Sequence, residues 1–121
     1  MRVLYVEDDQ DSQDLVRKRL QAEGIEVFVA DSGIQAIQML KQTDFDALIL
    51  DIMMPGIDAF QVGRSARNEA RNKNIPIILL SAHSHALREG DAKRLKPVAS
   101  LTKPIKFDKL IKAIRSAGEK K

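Results

Sequence analysis

The stretch VLYVEDDQD, Val3 to Asp11, sets four apolar residues against four carboxylates in the five positions that follow. A short, nearly continuous apolar run such as Val3–Val6 reads as a strand buried on both faces, which points to a parallel sheet covered by helices. Carboxylates packed that closely repel one another, and nothing in folding requires them. Something must neutralise them.

Outward from this stretch the pattern repeats. Ile25–Ala30, Ala47–Leu50 and Ile77–Leu80 are further apolar strand-like runs, and Val98–Leu101 is a weaker fifth. Amphipathic segments lie between them. Asp11–Glu23 carries Leu15, Val16 and Leu20, and Gly24 is placed to end that helix. Ser32–Gln42 opens with a Ser32-to-Gln35 capping box and is expected to bury Ile34, Ile37 and Leu40. Asp58–Arg71 begins with Asp58 and Gln61 in the same relation, so Asp58 reads as a cap. His85–Lys96 and Phe107–Ala117 complete the set, the last with Leu110, Ile111 and Ile114 on one face. A strand–helix unit repeated five times predicts one α/β domain over residues 1–121, a doubly wound five-stranded parallel sheet with helices on both faces.

Composition narrows the function. At 121 residues, with 44% hydrophobic and 4% aromatic side chains, the core must be mainly aliphatic. The absence of cysteine excludes a disulfide scaffold, a thiol nucleophile and a thiolate zinc site. No apolar run approaches the roughly 20 residues that span a bilayer. A chain that opens directly on a strand is expected to carry no signal peptide, and the protein is expected in the cytoplasm. The net charge is +3, but its lysines and arginines are scattered among acids and lack interleaved aromatics. They read as a solvated surface rather than a nucleic-acid site.

In an open parallel sheet, ligands bind beyond the carboxyl ends of the strands, where the strand order reverses. Glu7, Asp8 and Asp9 follow the first strand, Asp51 closes the third, Ser81 closes the fourth and Lys103 follows the fifth. Singly, each has an ordinary explanation; Asp9 and Asp11, for instance, read as turn or helix-cap residues. Together at one sheet edge they suit a hard divalent cation such as Mg²⁺, with Asp51 as a carboxylate nucleophile toward phosphorus. Lys103 would offset charge on phosphoryl oxygens, and Ser81 would hydrogen-bond one of them.

These residues resemble the receiver domain of bacterial two-component response regulators, which has a flavodoxin-like (βα)5 fold. VLYVEDD resembles the family's acidic start, LILDIMMPGIDAF its phosphorylation segment, IILLSA its fourth strand and LTKPI its lysine–proline turn. The resemblance implies that Asp51 is the phosphoacceptor. It implies that Asp8, Asp51 and the backbone carbonyl of Met53 bind Mg²⁺, with Glu7 acting through a water. Ser81 looks like the switch hydroxyl and Lys103 like the phosphate-pairing lysine, with a cis Lys103–Pro104 bond. The implied donor is a sensor histidine kinase or phosphotransfer protein, and the output is an interaction with a downstream protein, without a membrane or direct nucleic-acid contact. The implied role is signalling rather than enzymatic turnover.

Four positions depart from the family. Ser100 stands where it usually has Tyr or Phe, Lys96-Pro97 replaces a Gly-Ala pair, and Ala59 replaces a common Gly. Met53 and His83, each two residues beyond a site residue, are candidates to gate the attacking water. Competing functions are a receiver portion of a longer protein and a receiver-like module that binds its partner constitutively. A haloacid-dehalogenase-like phosphohydrolase is disfavoured because Met53 stands where its second Asp would be. A nucleotide site is disfavoured because neither a GxGxxG nor a GK[S/T] loop is present.

Overall fold

The computed structural model describes residues 1–52, 58–69, 72–83 and 90–119. Its elements alternate as expected: β1 (Arg2–Val6), α1 (Gln10–Gln21), β2 (Glu26–Ala30), α2 (Gly33–Gln42), β3 (Ala47–Asp51), α3 (Ala59–Asn68), β4 (Ile77–Ser81), α4 (Asp91–Arg94), β5 (Ala99–Thr102) and α5 (Phe107–Glu119). The five strands form one parallel sheet in the order β2-β1-β3-β4-β5. This is the flavodoxin-like arrangement, and its order reverses between β1 and β3.

The two-residue period of each strand sorts the core into two layers. Leu4, Val6, Leu48, Leu50, Ile77 and Leu79 pack beneath α2, α3 and α4. Val3, Tyr5, Ile49, Ile78 and Leu80 pack beneath α1 and α5. β3 and β4 are buried along their whole length, whereas β5 alternates between partly buried and exposed residues. That explains why β5 has the weakest apolar signature: it pairs on one side only.

Local signals account for the helix ends. Asp9, Ser32 and Asp58 are N-caps whose side chains accept from the amides of Ser12, Gln35 and Gln61. The return arm of the α2 box lands one residue early, with Asp31 N–H donating to Gln35 Oε1 at 2.9 Å. After α1, Gly24 takes φ +78°, and Ile25 N–H returns to the Leu20 carbonyl at 3.0 Å.

The helix faces need two corrections. Ile34, expected in the core, is 74% exposed, because the buried stripe of α2 runs through Ala36 and Leu40, one helical turn apart. Leu15 is likewise exposed, since α1 buries Gln13, Val16 and Leu20 at the i, i+3, i+7 spacing. The expected helix His85–Lys96 falls partly outside the described residues; within them α4 spans Asp91–Arg94.

Candidate functional site

The ladders continue past the strand ends and fix the backbone of the site. Glu7 N–H donates to the Ala30 carbonyl at 3.0 Å, and Lys103 N–H donates to the Ser81 carbonyl at 2.8 Å. Glu7 and Asp8 therefore leave β1 beside Asp51 at the end of β3, in the crevice where the strand order reverses. Ser81 ends β4, and Lys103 reaches in directly after β5, followed by a cis Lys103–Pro104 bond.

The Lys103 ammonium is the centre of the arrangement. It pairs with Asp51 Oδ2 and lies 3.4 Å from Glu7 Oε1. Both carboxylate side chains are only 3% exposed, so two buried anions share one cation. Burial would lower the Lys103 pKa, but its hydrogen bond to Asp51 and the charges of Asp51 and Glu7 outweigh that and raise it. Glu7 moves the other way from a paired acid. Burial pushes its carboxyl above the usual range, Lys103 opposes this, and neighbouring Asp51 adds to it.

Both Glu7 oxygens are held by the protein. Oε1 accepts from the Tyr5 hydroxyl at 3.1 Å, and Oε2 accepts from the amides of Asp8 at 3.1 Å and Asp9 at 3.4 Å. The Glu7 carbonyl accepts from Gln13 Nε2 at 2.6 Å. Burial, followed by the charge and hydrogen bond of Glu7, drives the Tyr5 phenol well above its ordinary pKa. Ser81 is fully buried, and its Oγ accepts from the His83 amide at 3.0 Å. Because a hydroxyl donates one hydrogen bond of its own, that acceptance leaves the Ser81 proton available.

Of the acids singled out in the sequence, Asp8 is exposed at the mouth of this cluster, while Asp9 turns away to cap α1. Met53 lies outside the described residues. Tyr5 and Gln13 were not anticipated as part of the site. Gln13 had a signal, since it shares the register of Val16 and Leu20; Tyr5 was hidden as an apolar strand residue.

Among the described residues, no group of three or more histidine or acidic side chains is disposed to hold a metal ion. An all-protein cage is therefore a poor description of these residues. Two carboxylates from adjacent strand ends, one of them open to solvent, suit Mg²⁺, which takes one or two carboxylates and keeps several waters.

Comparisons with known proteins agree with this layout. YrkP of Bacillus subtilis, an uncharacterized transcriptional regulatory protein, is 36% identical over 109 residues, covering 90% of this chain and 46% of that protein. The chain spans about half the length of the curated relatives it matches. Among solved structures, the response regulator TrrA of Thermotoga maritima, in complex with Mg(2+)-BeF, is 32% identical with a TM-score of 0.84, covering 96% of this chain and 97% of that one. The receiver domain of sensor histidine kinase PA1611 from Pseudomonas aeruginosa, with a magnesium ion coordinated in its active site cleft, is 26% identical with a TM-score of 0.85, covering 98% and 97%. The family model of the response regulator receiver domain matches residues 3–115. With nearly the whole sheet and all four strand-end segments inside that match, the chain belongs to the response regulator receiver domain family of two-component systems.

Proposed function

We propose that this chain accepts a phosphoryl group on Asp51 from a phosphohistidine of a sensor histidine kinase or phosphotransfer protein, in a Mg²⁺-dependent reaction, and thereby switches a protein interaction. The observation that carries this reading is the Lys103 ammonium, delivered from the end of β5 onto Asp51 at the end of β3.

In this reading an Asp51 carboxylate oxygen attacks phosphorus in line. A P–O bond forms as the P–N bond breaks, and its electron pair leaves with the imidazole nitrogen. Lys103 offsets charge on the phosphoryl oxygens, and Ser81 donates its proton to one of them. Asp8 and Asp51 would hold Mg²⁺ with the Met53 carbonyl, and Glu7 would contribute through a water. When bound, the ion supplies further neutralisation of phosphoryl charge. Hydrolysis of the acyl phosphate resets the domain, so there is no independent turnover substrate. The proposed site of action is the cytoplasm; no described helix is long and apolar enough to cross a membrane.

The test is intact-protein mass after incubation with acetyl phosphate, with and without Mg²⁺, for the wild type and Asp51→Asn. The expected result is a Mg²⁺-dependent gain of one phosphoryl group that Asp51→Asn abolishes. No gain under either condition would refute the reading. A second reading, a module that binds its partner without phosphorylation, draws on exposed Ser100, which has no ring to transmit a change at Ser81. Partner binding unaffected by phosphorylation would favour it.

A further inference from the structure

We infer that Tyr5 is a positioning residue for the Asp51 site: its buried hydroxyl aims the Glu7 oxygen that keeps the Lys103 ammonium in place. This rests on the receiver reading above and extends it to a residue one layer below the carboxylates.

Tyr5 is the only tyrosine in the chain and lies fully buried in the middle of the sheet, paired with Val29 and Ile49 in register. Phenylalanine would fill the same volume between α1 and α5 without requiring a polar partner. A buried phenol does require one. Its partner is Glu7 Oε1, two residues along the same strand face and therefore on the same side of the pleat.

Oε1 is the oxygen that meets Lys103, at 3.4 Å. The opposite oxygen is held by the Asp8 and Asp9 amides, so four donors from three directions fix the carboxylate. Phosphorylation alters the charge and shape of Asp51, one of the two Lys103 partners among the described residues. Glu7 is the partner that remains unchanged. Without the Tyr5 hydroxyl, Oε1 keeps only the longer Lys103 contact, and the carboxylate can pivot about its amide-bound oxygen. Lys103 then loses a fixed point from which to meet the incoming phosphoryl group.

The deciding experiment compares phosphoryl acquisition from acetyl phosphate at saturating Mg²⁺ in the wild type, Tyr5→Phe, Lys103→Ala and the double variant. Tyr5→Phe keeps the ring and is expected to react about tenfold more slowly, the scale of one hydrogen bond to a charged group. In the Lys103→Ala background the same change should cost little, because Tyr5 acts through Lys103. A second readout does not involve phosphoryl transfer. With one tyrosine and no tryptophan, tyrosine emission reports this hydroxyl alone. Glu7→Gln and Lys103→Ala should each change it.

An equal rate for Tyr5→Phe and wild type overturns the inference and leaves the receiver reading standing. So does an equal slowing in both backgrounds, which is the mark of a purely structural role. Emission indifferent to both Glu7→Gln and Lys103→Ala overturns it as well. A wild type that takes up no phosphoryl group refutes the receiver reading, and the inference falls with it.

Discussion

Glu7, Asp8 and Asp9 are consecutive and chemically alike, yet each occupies a different environment. Glu7 is buried and held by four donors, Asp8 is exposed at the crevice, and the Asp9 carboxylate accepts from both the amide and the hydroxyl of Ser12. The Ser12 hydroxyl, followed by its amide, lowers the pKa of Asp9. A depressed folded-state pKa contributes stability above the unfolded value, and that contribution disappears as pH falls through the folded value. Asp9→Ala should therefore be less stable than wild type at neutral pH, with the gap closing below the ordinary aspartate range. Urea midpoints of the two proteins across that range check this, and a constant gap would contradict it. The cap was legible because Asp9 precedes a helical pattern, and the clustering of Asp51, Ser81 and Lys103 at strand ends followed from the α/β pattern. The roles of Tyr5 and Gln13 were not legible, because they depend on which atom of Glu7 each side chain reaches.

At the scale of elements, α3 interlocks with Leu95, the residue that ends α4. Gly63 on α3 leaves room for Leu95, and a Cβ there would come within 2.7 Å of Leu95 Cδ1. Arg67, one turn further along α3, donates to the Leu95 carbonyl through Nε at 3.1 Å and Nη2 at 2.9 Å. Its Nη1 reaches the carbonyls of Lys73 and Ile75 ahead of β4. In the fold, Gly63 forms a socket for Leu95 and Arg67 a clasp on its carbonyl. Gly63→Ala gains helix propensity but overpacks Leu95, and we expect a net loss of about 1 kcal/mol. Thermal or urea unfolding measures this, and Leu95→Ala should cost less in that background than in wild type. Lys96 follows the clasp at φ 53°, left-handed backbone that suits glycine. Lys96→Gly is expected to raise stability by about 0.5–1 kcal/mol, and a lower urea midpoint would contradict that.

For the whole molecule, strand number and two-sided burial followed from the apolar runs, because a parallel sheet covered on both faces has little freedom in its connections; the strand order was implied only by the family resemblance. The errors fell where burial is one-sided. Ile34 and Leu15 lie beside the buried stripes rather than on them, and β5 (Ala99–Thr102) is shifted one residue from Val98–Leu101, its pairing running from Ala99 with Ile78 to Thr102 with Ser81. The site is a product of this global arrangement. Glu7 and Asp51 come from neighbouring central strands, while their shared cation arrives from the sheet edge, 96 residues along the chain from Glu7.

That edge position has a kinetic consequence. β5 is held by a single ladder and is half-exposed, so it and α5 should open together below the free energy of global unfolding. Native-state amide exchange should therefore give Leu101 less protection than Ile49 or Leu79, and equal protection would contradict this. Each such opening carries Lys103 away while leaving both buried carboxylates in place. Among the described residues, the site would then lose the cation that pairs with Glu7 and Asp51 in brief excursions, and the frequency of those excursions would be set by the weakest strand rather than by the pocket.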